Sequence, residues 1–290
     1  MYSLEELWKE SSGEVNPKTF RELVRLGDRI DKEKKKRAVV RNVLAAAAVA
    51  ASLAVVAVAT FSLSRNKYQV APLDCTANLV AEYGKTASVT LPDGTLVHLN
   101  SGSTLLYPET FEAGSRIVFL SGEGNFTVAK DAEHPFIVKT AYMDVQALGT
   151  TFNVKSFIGD KSMRTTLAEG RVKVSFPSFS GKDYILDPNS QLVFNPSERT
   201  VSVIGVNADK VLGWEEGYLS FINAPFSEVA SALERKYDVS IRYNSEKLKG
   251  SALNVRFLPD ESLDDALKVL KLLIPGSRYT RDGARIYWQF

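Results

Sequence analysis

Val43 to Ser64 runs for 22 residues without a charge. As a helix at about 1.5 Å per residue, that stretch reaches roughly 33 Å, enough to cross a hydrocarbon core of about 30 Å. It holds nine alanines together with Leu44, Val49, Leu53, Val55, Val56, Val58, Phe61 and Leu63. Ser52, Thr60 and Ser62 are its inner polar residues, and each can satisfy its hydroxyl on the helix backbone. A buried soluble helix would keep a polar face, and this one has none. A cleaved signal peptide would have a short leader and an apolar run of about 7–15 residues, whereas 42 residues precede this one. The stretch 43–64 is therefore expected to be a single transmembrane helix.

Charge then orients it. Lys32, Lys34, Lys35, Lys36, Arg37 and Arg41 precede the span, while Arg65 and Lys67 follow closely. The positive-inside rule places the N-terminus in the cytoplasm and residues 65–290 on the far side of the membrane. The whole chain carries 36 Lys and Arg against 34 Asp and Glu, yet residues 1–42 hold 11 against 8, a local excess of three. A balance this near zero gives no nucleic-acid footprint for the chain as a whole.

The tail, residues 1–42, is too short to enclose a core. Leu4, Leu7 and Trp8 fall on one helical face, and Phe20, Leu23, Val24 and Ile30 form a second stripe, with Ser11-Ser12-Gly13 and Asn16-Pro17 between them. The tail reads either as a stub with a basic collar or as two amphipathic helices that fold onto a partner.

Beyond a linker, 65–78, short alternating runs recur every 8–12 residues from 79 to 205, the pattern of an all-β domain. Pro92-Asp93-Gly94 turns one run into the next. Strands are expected at 116–120, 125–129, 136–139, 144–148, 151–155, 165–168 and 171–176. The stretches 120–128 and 167–174 echo each other through Glu-Gly and read as repeated hairpin turns, which suits a β-sandwich or a short β-solenoid. From 213 to 290 the pattern becomes β-α-β-β-α-β-β, a small α+β domain. Pro225 and Ser262 open its helices, Pro275-Gly276 stops the second, and Asp282-Gly283 turns the last hairpin.

Chemistry-bearing patterns are few. Cys75 is the one cysteine, which rules out an intramolecular disulfide, and His98 and His134 are the two histidines. His98 is expected to face solvent. No Gly-rich loop opens a helix to cradle a phosphate. Asp93, Glu123 and Glu169 sit beside glycines as turn acids, with nothing in the spacing to tie them into an acid–base pair. The sequence thus implies no enzyme, no metal and no cofactor.

A series of short motifs now resembles a known family. Leu91-Pro-Asp-Gly-Thr-Leu-Val-His-Leu-Asn100, Tyr107-Pro-Glu-Thr-Phe111, the stretch 116–128, Pro135-Phe-Ile-Val138, Leu148-Gly-Thr-Thr-Phe-Asn-Val154 and Leu167-Ala-Glu-Gly-Arg-Val172 occur in the order found in the periplasmic domain of FecR-type anti-sigma factors. Gly217-Tyr-Leu-Ser-Phe221 and Leu233-Glu-Arg-Lys-Tyr-Asp238 resemble the C-terminal domain that often follows, itself similar to the short N-terminal domains of secretins and TonB-dependent receptors. The resemblance implies a single-pass inner-membrane regulator. Its tail would hold an extracytoplasmic-function sigma factor through Leu4, Leu7, Trp8, Phe20, Leu23 and Val24. Its periplasmic region would meet the signalling domain of an outer-membrane TonB-dependent transporter, the C-terminal domain being the favoured contact. A regulated intramembrane protease would then release the sigma factor. This tail is shorter than the sigma-binding domain usual in relatives. Two rival readings are a membrane-tethered periplasmic binding or scaffolding module with an inert tail, and a periplasmic hydrolase built on the turn acids.

Overall fold

The computed structural model describes residues 77–111, 114–248 and 252–289, with residues 32 and 36 besides. The expected span and, residues 32 and 36 aside, the tail lie outside these residues, and among the described residues no helix is long and apolar enough to cross a membrane.

Thirteen strands form one sheet that curls on itself: β1 (Ala77–Ala81), β2 (Ala87–Thr90), β3 (Leu96–Leu99), β4 (Ser103–Tyr107), β5 (Arg116–Thr127), β6 (Phe136–Lys139), β7 (Asp144–Ala147), β8 (Thr151–Ser156), β9 (Met163–Glu169), β10 (Val172–Phe176), β11 (Ser180–Leu186), β12 (Ser190–Asn195) and β13 (Thr200–Gly205). The long strand β5 is the fold line. Its first half pairs with β4 and β6, and its second half with β3 and β8. Outward from β5 one layer continues β6-β7-β10-β11 and the other β8-β9-β12-β13. Successive hairpins therefore alternate between layers. This arrangement combines the two readings left open by sequence, since the layers face each other as in a sandwich while the hairpins advance as in a solenoid.

Period-two alternation explains the layering. Val97, Phe126, Phe152, Val154, Met163 and Leu192 point inward from one layer, and Val118, Phe136, Val145, Val172 and Val174 from the other, into a single buried cluster. Phe126 stacks on Phe152 at 5.4 Å between ring centroids and lies 6.1 Å from Phe136 across the layers.

Two expectations change here. The stretch 120–128 is not a turn between two strands but the bend of β5. The bend falls at Gly122, whose φ of +126° brings the backbone so close to Ser103 that a Cβ would lie 2.6 Å from the Ser103 Cα. Its echo at Glu169-Gly170 is not a hairpin either. β9 pairs with β8 and β12, while β10 pairs with β7 and β11, so the chain crosses between layers there, at Gly170 with φ of +89°. Both stretches therefore mark inter-layer crossings, with the positive φ at Gly122 before Glu123 in the first and at Gly170 after Glu169 in the second. The expected linker yields at 77 to β1, and β4, β11, β12 and β13 add to the strands expected from sequence.

The C-terminal segment follows its expected order. After a one-turn helix α1 (Ala208–Leu212) and a 3₁₀ turn at Gly213–Glu216 come β14 (Leu219–Pro225), α2 (Phe226–Tyr237), β15 (Ser240–Tyr243), β16 (Ala252–Phe257), α3 (Leu263–Leu273), β17 (Arg278–Asp282) and β18 (Arg285–Gln289). β14 pairs with β16, and β15 runs parallel to β18, which turns back on β17. Phe226, Val229, Ala230 and Leu233 on α2 and Leu263, Ala266, Leu267 and Leu270 on α3 close a second core with Phe257, Ile286 and Trp288. Leu273, which continues the spacing of Leu263, Ala266, Leu267 and Leu270, is exposed at the end of α3. Ser262 caps α3 by accepting from the Asp265 amide at 3.2 Å. Residues 73–290 cluster as one compact unit.

Candidate functional site

Along β5, β8, β9 and β12 the positions between the core residues point away from the core. They are Glu123 and Asn125, Asn153 and Lys155, Arg164 and Thr166, and Gln191. Alternation alone would leave them in solvent. Instead Glu123, Asn125, Asn153, Thr166 and Gln191 are buried, because the C-terminal segment lies over this outer face.

Helix α2 is fastened at both ends. In its first turn, both carboxylate oxygens of Glu228 meet the Arg164 guanidinium, with Nη2 to Oε2 at 2.8 Å, and Lys155 Nζ stands 3.6 Å away. Burial presses the Glu228 carboxyl upward, but the Arg164 hydrogen bonds and the charges of Lys155 and Arg164 prevail and hold it at about 2. Burial likewise works against the Arg164 charge, and Glu228 more than offsets it, so that pKa is raised. In the last turn, the Arg235 carbonyl accepts from the Gly84 amide at 2.8 Å and the Ser101 hydroxyl at 2.7 Å. These donors from the β module satisfy a helix-end carbonyl that has no partner within the helix. The Arg235 guanidinium lies 3.8 Å over the Phe157 ring and reaches Asp160 with two contacts of 3.4 Å. Lys236 donates to the Gly217 carbonyl at 2.6 Å and to those of Leu258 and Pro259 at 3.4 Å, and burial lowers its pKa.

Beside α2, Trp214 Nε1 donates to Asn153 Oδ1 at 3.1 Å, and Asn153 Nδ2 donates to Glu123 Oε1 at 3.1 Å. Asn100 Nδ2 donates to the other Glu123 oxygen at 2.9 Å, and Asn125 Nδ2 donates to Glu215 at 2.8 Å. Asn100, Glu123, Asn153 and Trp214 line a cleft of about 750 Å³ between the outer face, the segment 204–222 and α2. Clefts between modules, mostly apolar with a few convergent polar groups, are where small ligands bind most often.

The turn acids part company. Asp93 pairs with the buried Arg116 at 2.8 Å and accepts from Thr95, which fastens the turn after β2. Glu123 is buried on the cleft floor, and Glu169 is exposed. No two of them come together in one hydrogen-bonded site. His98 sits half-buried on the outer face, opposite the buried Val97 and Leu99, and His134 pairs with Asp131 at 2.8 Å. Among the described residues no group of His, Cys, Asp and Glu could hold a metal ion. The residues expected to contact a sigma factor, Leu4, Leu7, Trp8, Phe20, Leu23 and Val24, lie outside the described residues. Sequence reasoning does not single out Asn153, Arg164, Gln191, Trp214, Glu228 or Arg235 as site residues. The one signal for the strand residues is the run of polar side chains at most outward positions of neighbouring strands, Val193 being an exception.

Residues 77–173 match the family described as FecR protein, and residues 218–288 match FecR, C-terminal. Two crystal structures of a candidate anti-sigma factor from Parabacteroides distasonis, at 1.65 and 2.50 Å resolution, share 33% identity with this chain at a TM-score of 0.69. The match covers 73% of this chain and 98% and 97% of those chains. No curated protein matches the chain.

Proposed function

The chain belongs to the FecR family, and from that premise we propose that it is an anti-sigma regulator. The observation that carries this is the likeness of both of its modules, in order, to nearly all of the crystallised Parabacteroides chain, which is described as a candidate anti-sigma factor. The remaining steps extend the proposal. Residues 43–64 cross the inner membrane once, with residues 1–42 in the cytoplasm and the two-module body in the periplasm. The tail holds an extracytoplasmic-function sigma factor through Leu4, Leu7, Trp8, Phe20, Leu23 and Val24. The body meets the signalling domain of a TonB-dependent transporter, and proteolysis within the membrane frees the sigma factor. The chain acts by binding rather than by catalysis.

The test is a reporter for sigma-dependent transcription in cells carrying Phe20→Asp with Leu23→Asp. Charges on the apolar stripe should raise output several-fold while the protein accumulates normally. Unchanged output at normal protein level would defeat the tail assignment. The cleft supports a second reading, a membrane-tethered binding module, which instead expects removal of residues 1–30 to leave transcription unchanged.

A further inference from the structure

We propose that the cleft between the β module and α2 binds a small neutral polyhydroxylated ligand, a sugar-like compound with vicinal hydroxyls, and that Glu123 accepts those hydroxyls. Glu123 is 7% exposed and lines the cleft floor. Its carboxylate accepts one bond per oxygen, from Asn100 and Asn153, and it enters no ion pair with a described residue. A carboxylate has about four acceptor sites, so capacity for two further donors remains at the floor. The Arg164 charge reaches Glu123 through space but makes no hydrogen bond with it, so a buried carboxylate held by two amides still gains from further donors, and two adjacent O–H groups match its two oxygens.

The surrounding charges argue for a neutral ligand. Arg164 and Lys155 are committed to Glu228, Arg235 to Asp160, and Lys236 to backbone carbonyls. These partly buried cations are thus already matched, leaving little to attract an anion into the floor. The walls supply what the carbon face of a sugar requires: Trp214, Val193 and Phe221 line the same cleft. Trp214 is fixed in place by the amide that also touches Glu123, so indole and carboxylate are held in one hydrogen-bonded chain before any ligand arrives. The cleft volume of about 750 Å³ falls within the range of roughly 300–1,000 Å³ found for small-molecule sites. This reading goes beyond anti-sigma activity, because it makes the body a receptor in its own right, and its test does not depend on any sigma factor.

The full chain, in lipid nanodiscs to avoid sugar-based detergents, would be titrated calorimetrically with D-xylose, D-glucose and maltose, and with D-glucuronate as the anionic arm. Two variants accompany it. Glu123→Gln removes the charge and one acceptor, and Ile204→Trp fills the cleft from an exposed rim position that folding does not need. At least one neutral sugar should bind the unmodified chain, and each variant should weaken it by about tenfold or more, the scale of a charge-assisted hydrogen bond. If Glu123→Gln lowers the melting temperature strongly, Ile204→Trp decides alone. Absence of binding by every neutral sugar up to about 10 mM overturns the proposal. So does binding that survives Ile204→Trp unchanged, and so does binding of glucuronate alone.

Discussion

The layer made by β3, β5, β8, β9 and β12 has two faces, both largely buried, on opposite chemical terms. Its inner face is apolar at Val97, Phe126, Phe152, Val154, Met163 and Leu192, with the buried Thr165 among them donating its hydroxyl to the Met143 sulfur. Its outer face is polar, from Glu123 through Asn153, Lys155 and Arg164 to Gln191, and it is covered by α2 and Trp214. The first face gains stability from area removed from water, and it tolerates no gap. The second gains little net stability from its ion pairs, but it fixes one arrangement of the C-terminal module, because any other leaves buried charges without partners. The comparison separates a face that makes the fold from a face that sets its geometry.

Substitutions can break that distinction at several strengths. Phe152→Ala should cost the most, about 3–5 kcal/mol, by opening a cavity where Phe152 stacks on Phe126. Denaturant unfolding of the whole chain would measure it, and a loss under about 1 kcal/mol would mean the inner face is not the main source of stability. Glu228→Ala on the outer face should cost about 2 kcal/mol. That is below the value for a fully enclosed pair, because the Arg164 side chain is 25% exposed. The double replacement Arg164→Met with Glu228→Met should recover most of that loss, since it leaves no charge without a partner. A double mutant as unstable as the sum of the singles would deny the pairing any role as a unit.

Acid should weaken the outer face specifically. Glu228 sits at about 2 rather than its ordinary 4.5, so its contribution is complete above about 4.5 and drains away as pH falls toward 2. Stability measured across that window should fall less steeply in Glu228→Gln than in the unmodified chain. The smallest effect is expected from Lys85→Ala, which removes an exposed pair with Glu82. Its melting temperature should match that of the parent.

How far these two faces are legible in the sequence follows from what alternation records. It tells which side of a strand meets the nearest core, so the pattern alone locates the inner face, the strands from β6 to β10, β5 as two pieces, and both C-terminal helices. It does not tell whether the other side is covered again. Lys155 and Arg164 look like ordinary solvated residues until Glu228, far along the chain, is placed against them. The same limit explains Glu123, which reads as a turn acid because Gly122 and Gly124 flank it, though the glycines serve a bend within one strand. β11, β12 and β13 escape the pattern because Pro177, Pro188 and Pro196 punctuate that stretch as loops. The tail residues offer a stripe and nothing in the folded body to test it against.

The most direct test of the whole account is co-purification from membranes, comparing the full chain with a version lacking residues 1–30 and identifying bound proteins by mass spectrometry. An anti-sigma regulator should bring down a sigma factor with the full chain and lose it with the shortened one. Recovery of no sigma factor with either chain, at equal yields of intact protein, would contradict the account.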